Sequence, residues 1–330
     1  MEIHTMAGNV TYRLYQEEDL PTLARIWEEE TKWGEMTPEQ WCEQFIDTPY
    51  GEASIALATN ADTGQIIGQL IFIPYLVCVN GRDVLAFRPF APIVIKAARG
   101  LLSDTHPSAG MYEYGVQVVQ ARGGGLIYMV PHPNWLRTLR IGPTVQCASF
   151  PLWSLPMPLT EPLPLADGYT MRPLEVWDQR VDDLWKATSC LYGCQIVRNC
   201  RTLQWKIGSS NYTVTVVERQ GEMVGLVASQ QKGADRQWLV CDLLAADAGD
   251  SLRNTMIAVT NVAHSEAIIP EREKPIKKVA VLVTPIMEPV VNRLGFVRDA
   301  YDFPLVVHIL DPSISMDEVT PARWYISAND

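Results

Sequence analysis

The sequence predicts two tandem α/β (α+β) domains, each a mixed twisted sheet flanked by helices. Three observations predict it. At 330 residues the chain exceeds one ordinary domain and suits two, each long enough to bury its own core. The same elements recur in the same order in both halves, at an offset of about 155 residues. Between the copies, Pro151, Pro156, Pro158, Pro162 and Pro164 mark an extended connection. The expected boundaries are residues 1–155 for the first domain, 156–167 for the proline-rich linker and 168–330 for the second.

Each copy opens on a short strand ending at an arginine, Arg13 in TYRLYQEEDLPTLARIWEEE and Arg172 in GYTMRPLEVWDQRVDDLWKAT. An acidic helix start follows, then an amphipathic helix. Leu20, Leu23, Ile26 and Trp27 share one face, as do Val181, Leu184 and Trp185. Asp19 before Leu-Pro is a helix start, with proline tolerated in the first turn. A second helical stretch carries Trp41 in the first copy and Trp205 in the second.

β-Branched runs broken by turn residues then read as antiparallel strands. They are ASIALATN and GQIIGQLIFIPYLVCV in the first copy, and YTVTVVER and EMVGLVAS, turning at Gln220-Gly221, in the second. Gly68 and Gly225 hold matching places. Each copy closes on a buried strand, a short helix ending at Arg-Ile-Gly (Gly142) or Arg-Leu-Gly (Gly295), and a last strand containing Phe-Pro-Leu.

Composition narrows the function. Hydrophobic residues make up 47% and charged residues 20%, with a formal net charge of −11. That is ordinary globular composition, and the negative surface argues against a nucleic-acid partner held through phosphates. It favours an amine-bearing substrate. No run of about 18 apolar residues occurs, so no membrane partner and a soluble, cytoplasmic protein are expected. Seven cysteines and five histidines are dispersed without a CxxC pair; no metal is expected.

The ordered set of elements, with Arg-x-Leu/Pro near the start, an Ile-Ile-Gly or Met-Val-Gly turn and a late Arg-Leu-Gly-Phe, resembles the GNAT (Gcn5-related N-acetyltransferase) superfamily, twice over. The resemblance implies acetyl-CoA or another acyl-CoA as co-substrate, and direct acyl transfer to a small amine. It also implies a pyrophosphate loop after the fourth strand, where successive N–H groups and a helix N-terminus cradle the phosphates. The matching segment is PIVIKAARGLL, residues 92–102. Val94 and Ile95 would pair with the pantetheine amides, and Arg99, Gly100, Leu101, Leu102 and Ser103 would form the loop. Asn134 matches a family position beside CoA. Leu102 stands where the family has glycine.

In the second copy Ala246, Asp247 and Asp250 replace the loop, and carboxylates repel pyrophosphate. The family's tyrosine acid is replaced by Thr138 and Val291. His106 and Asp104 border the loop as candidates for proton transfer, against a helix-capping role. Trp33, without a second-copy counterpart, and Glu35 are candidates for contact with a cationic amine. Tyr112 and Tyr114 lie on the following helix, facing different sides. Two alternatives stay open: a catalytically silent binding or scaffold protein, and another acyl-CoA reaction such as decarboxylation or transfer to oxygen or a carrier thiol.

Overall fold

The computed structural model describes residues 10–31, 33–99, 106–131, 145–209, 211–232, 236–270, 274–320 and 323–330. The first half runs β1 (Val10–Leu14), α1 (Leu20–Thr31), α2 (Pro38–Trp41), β2 (Ser54–Asn60), β3 (Ile66–Val79), β4 (Arg82–Val94), α3 (Pro107–Ala121), β5 (Leu126–Met129) and β6 (Val145–Pro156). The second runs β7 (Tyr169–Pro173), α4 (Gln179–Thr188), β8 (Cys194–Ile196), α5 (Cys200–Ile207), β9 (Thr213–Arg219), β10 (Glu222–Lys232) and β11 (Gln237–Ala245). It closes with α6 (Asp250–Ala267), β12 (Lys278–Leu282), α7 (Glu288–Arg293), β13 (Val297–Ile309) and β14 (Trp324–Tyr325).

Two compact units emerge, and their bounds differ from those expected. The first takes in Met1–Leu76, Val84–Gln146 and Leu305–Ser315; the second takes in Val77–Asp83, Cys147–Pro304 and Met316–Asp330. In the first unit the strand order is β1-β2-β3-β4-β5 followed by the end of β13, where Val306 pairs with Met129 and Ile309 with Leu126. In the second it is β7-β9-β10-β11-β12-β6, with Leu152 opposite Leu282 and Pro156 opposite Lys278. Thus β6 of the first half completes the sheet of the second unit, and the end of β13 completes that of the first. The tip of the β3–β4 hairpin also belongs to the second unit, Val77 pairing with Ile196 of β8.

Pairing senses repeat as the sequence repeat implies. In the first unit β1/β2 and β2/β3 are antiparallel, β4/β5 parallel and β5/β13 antiparallel. In the second, β7/β9, β9/β10 and β10/β11 are antiparallel, β11/β12 parallel and β12/β6 antiparallel. The turns at Asn80-Gly81 and Gln220-Gly221 both have two consecutive positive φ angles, 50° and 80°, then 53° and 86°. This geometry matches the right-handed twist of the flanking strands.

Local chemistry sets the entries to the helices. Both guanidinium nitrogens of Arg13 donate to Asp19, at 2.6 and 2.7 Å, and Asp19 also accepts the Gln16 N–H. That clamp fixes the turn from β1 into α1, whose Leu23, Ile26 and Trp27 are buried. Arg172, the matching arginine, pairs instead with Glu218 at 2.6 Å. A Cβ on Gly68 would lie 3.1 Å from Met111 of α3, and one on Gly225 only 2.0 Å from the Thr255 hydroxyl of α6. Both matched glycines admit the helix after β4 or β11 onto the sheet, and Gly68 also admits the Ile93 carbonyl of β4, which would lie 2.8 Å from a Cβ there.

The connection through residues 157–167 is strapped to α6. Leu159, Leu163 and Ala166 donate backbone N–H groups to His264, Asn261 and Asn254. No helix among the described residues is long and apolar enough to cross a membrane.

Candidate functional site

In the first unit, β4 and β5 pair at only two positions, Ala86 with Leu126 and Phe87 with Ile127. Beyond them the strands part. The sequence RPFAPIV on β4 explains why: Pro89 and Pro92 have no N–H to extend a ladder. Between them Ala91 has φ of 49°, a conformation that alanine adopts only under strain. The gap opens a cavity of about 630 Å³ lined by residues 88–94 of β4, by Met129, Val130 and Pro131, and by Leu70. Glu30, Thr31 and Trp33 close one side; Arg99, His106 and Ser108 lie where α3 begins.

The aromatic wall comes from α1, α2 and β4. Trp27, Trp41, Phe45 and Phe90 pack within 6.3 Å of one another's centroids along a connected chain. Trp33 stacks on Phe90 at 6.0 Å and meets Trp27 edge-on at 5.1 Å, yet stays 60% exposed. Its lack of a counterpart in the second copy was the signal that it faces a cavity rather than the repeated core. Glu35 is exposed and does not line the cavity.

Charge is arranged differently from the expectation. Arg99, assigned to phosphates, donates to the carboxylate of Glu30 at 2.7 Å and to the Val94 carbonyl at 2.8 Å. Glu30 also accepts the Lys96 N–H. The Ile95 N–H donates to Ile67 on β3 at 3.0 Å, so Ile95 offers no donor to the cavity and the Val94 carbonyl is already engaged. Upstream of these, residues 88–93 of β4 line the cavity. His106 caps α3, its Nδ1 accepting the Ser108 N–H at 3.3 Å. Partial burial, then the charge of Arg99, hold its pKa below the ordinary histidine value. Asp104, Gly100, Leu101, Leu102, Ser103, Asn134 and Thr138 lie outside the described residues.

On α3, Tyr112 is buried and Tyr114 half-buried. The Tyr112 hydroxyl meets Nδ1 of His308 at 3.3 Å. Burial pushes the Tyr112 pKa far above that of a free phenol and lowers that of His308. Neither lines the cavity. Arg88, Phe90, Ala91 and Glu30 escaped the sequence reading; two prolines three residues apart inside a strand pattern were the available signal.

The second unit has the same divergence with a different filling. β11 and β12 pair from Gln237/Lys278 to Leu239/Ala280 and then part. Cys241, just beyond, is skipped by the register shift between β11 and β10. Its carbonyl accepts the backbone N–H of Asn329 at 3.2 Å. At the start of α6 the Asp247 carboxylate accepts the N–H groups of Gly249 at 2.8 Å and Ser251 at 3.2 Å. Burial would raise the Asp247 pKa, but hydrogen bonds from the Ser251 hydroxyl and these two amides outweigh it and hold the group ionised. An internal anion thus takes the donors that a phosphate would use. Val291, where the family has its tyrosine, is buried.

Next to this stands a buried ionic quartet. Arg198 donates to Asp242 at 2.7 Å and to Asp330, and Lys206 donates to both carboxylates, at 2.9 and 2.6 Å. The Arg198 guanidinium lies 4.4 Å from the Tyr325 ring centroid.

Solved structures share this fold. A GCN5-related N-acetyltransferase from Anabaena variabilis matches with TM-score 0.68 and 13% identity, over 91% of this chain and 73% of that one. The fold is GNAT-like. A GCN5-related N-acetyltransferase from Kribbella flavida matches at TM-score 0.62 and 11% identity, over 92% and 72% of the two chains. Saccharomyces cerevisiae N-myristoyltransferase, solved with bound myristoyl-CoA, matches at 0.58 and 11% over 92% and 83%. No family model and no curated protein sequence matches the chain. Among the described residues no group of three or more His, Cys, Asp or Glu could hold a metal ion.

Proposed function

We propose that the first unit is an acyl-CoA-dependent N-acyltransferase, acting on a small amine by direct transfer. The observation that carries this reading is the parting of β4 and β5 after Phe87 and Ile127, with Ala91 at a positive φ in the opened arm. The residues fit the group. An apolar slot between Leu70, Ile93, Val94 and Met129 suits the pantetheine chain, and at the start of α3 the Ser108 hydroxyl is the group offered to the phosphate end, its N–H being taken by His106. The second unit, with Asp247 and Asn329 in the corresponding places, is a structural partner.

Acyl-CoA supplies an acyl group already activated as a thioester. The amine lone pair attacks the carbonyl carbon, an N–C bond forms, and the C–S bond breaks to release thiolate. The proton lost by the amine leaves through water and one proton returns to the sulfur. The protein's part is to hold both reactants, exclude bulk water and polarise the carbonyl. The backbone N–H of Ala91, turned by its positive φ, is the donor assigned to that last task. His106 keeps only Nε2 for proton transfer, since Nδ1 caps α3. Glu30 is engaged by Arg99.

The test is thermal unfolding with and without acetyl-CoA. Ligand at a hundred times its dissociation constant stabilises by about 2.7 kcal/mol, a shift of a few degrees for a domain of this size. No shift with acetyl-, longer-chain acyl- or free CoA would refute the reading. A shift without acylated product from any amine would favour the silent binding protein, a possibility raised by the pairing of Arg99 with Glu30.

A further inference from the structure

Among the described residues, one cation of the cavity has no acidic partner. Arg88 lines it, half-buried, with its guanidinium carbon 5.4 Å from the centroid of Phe90. Among the described residues no acidic side chain pairs with Arg88. The other charges of the lining cancel: Arg99 meets Glu30 at 2.7 Å, and burial and Arg99 favour neutral His106. In a chain of net charge −11, a half-buried arginine that lines this cavity with no acidic partner among the described residues needs an explanation.

Position says which end of the reaction it serves. Six residues of extended chain separate Arg88 from Val94, roughly 20 Å at about 3.3 Å per residue. The start of α3 follows Val94 in the chain, whereas Arg88 stands on the other side of Ala91. It shares that end with Trp33, which stacks on Phe90.

We propose that Arg88 recognises a carboxylate on the acceptor, so that the substrate is an amino acid or similar amino-carboxylate. This deepens the acyltransferase reading and rests on it. Guanidinium and carboxylate match as two parallel hydrogen bonds, which fix orientation as well as charge. Phe90 holds the guanidinium plane, and Trp33 offers a flat apolar face to the acceptor side chain. The arrangement adds to the amine expected from net charge a carboxylate, because among the described lining residues Arg88 is the charge left without a partner.

The experiment uses the full chain with acetyl-CoA and a panel of common amino acids, each beside its amide and its decarboxylated amine. Thiol release is followed with a chromogenic disulfide. The best acid is expected to exceed its amide by about tenfold to a hundredfold in kcat/KM, the range of a charge-assisted pair. Arg88→Ala is expected to abolish that preference by raising acceptor KM at least tenfold, with the acetyl-CoA thermal shift retained; Arg88→Lys keeps part of it. Amides or simple amines used as well as the acids overturn the proposal, as does an acid preference untouched in Arg88→Ala. If Arg88→Ala fails to fold, the acid-to-amide ratio of the unmodified chain decides alone. Acetyl-CoA stabilisation without carboxylate preference, including no turnover of any amino acid, sinks this proposal only. No acetyl-CoA stabilisation sinks the acyltransferase reading with it.

Discussion

The backbone N–H of Asn329 donates to the carbonyl of Cys241, 3.2 Å away, just past the point where β11 and β12 separate. In the first unit the corresponding stretch of β4 opens on a cavity. One fold thus carries two states of the same gap, one open and one covered by the chain's own residues.

Asn329→Pro removes this donor together with the side-chain bond from Nδ2 to the Tyr212 hydroxyl at 3.2 Å, whose share is measured by Tyr212→Phe. A loss of about 1–3 kcal/mol is expected, the cost of leaving the Cys241 carbonyl unpaired. Urea unfolding measures it. The acetyl-CoA thermal shift is expected to stay the same, because Asp247 still fills the donors at the start of α6.

The quartet of Arg198, Lys206, Asp242 and Asp330 makes stability sensitive to acid. Burial would raise the Asp330 pKa, but the charges of Arg198 and Lys206 outweigh it and hold it well below the usual carboxylate range. A depressed folded pKa contributes stability in full above the unfolded value near 3.9 and loses it as pH falls toward the folded value. Unfolding of the second unit is therefore expected to ease below about pH 4, read by Trp238 fluorescence. Arg198→Met leaves two buried carboxylates with Lys206 alone, and a loss of about 3–5 kcal/mol is expected at neutral pH.

Ala91 can be tested through its backbone. Ala91→Val is expected to destabilise by about 1–3 kcal/mol, because a β-branched side chain resists φ of 49°. Ala91→Gly relaxes the strain at the expense of a freer unfolded chain, and a net change within about 1 kcal/mol is expected. If the two variants unfold alike, the bulge is not held in the positive-φ conformation.

The repeat was legible because glycines, turn residues and tryptophans record close approach and burial position by position. Gly68 and Gly225 are the clearest instance, each facing the helix that follows the long central strand. The exchange of last strands was not legible. β6 and β13 both contain Phe-Pro-Leu within an apolar run, so either satisfies either sheet edge, and a period-2 pattern does not say which. At the site, glycine and basic residues drew attention to residues 99–103. The wall of the cavity is instead RPFAPIV, where the informative residues were prolines that end a ladder. Arg99 read as free for phosphate because its partner, Glu30, is distant in sequence and looked like one more acid on a solvated helix.

Gly115 gives a further test of how α3 sets the cavity. A Cβ there would lie 2.0 Å from the Phe72 ring, so Gly115→Ala must displace that buried ring or the helix that carries Gly115. A loss of about 1–3 kcal/mol is expected. Acetyl-CoA affinity is expected to fall where the helix gives way, since Ser108 moves with it; isothermal titration reads both arms independently of turnover.

The central claim, that acyl-CoA enters the gap between β4 and β5 and not its counterpart, is tested most directly by hydrogen exchange with and without saturating acetyl-CoA. The account predicts slowed exchange in peptides spanning residues 88–94 and 106–110, with residues 239–245 unchanged. Protection confined to 239–245, or absent from 88–94 while acetyl-CoA is demonstrably bound, would contradict it.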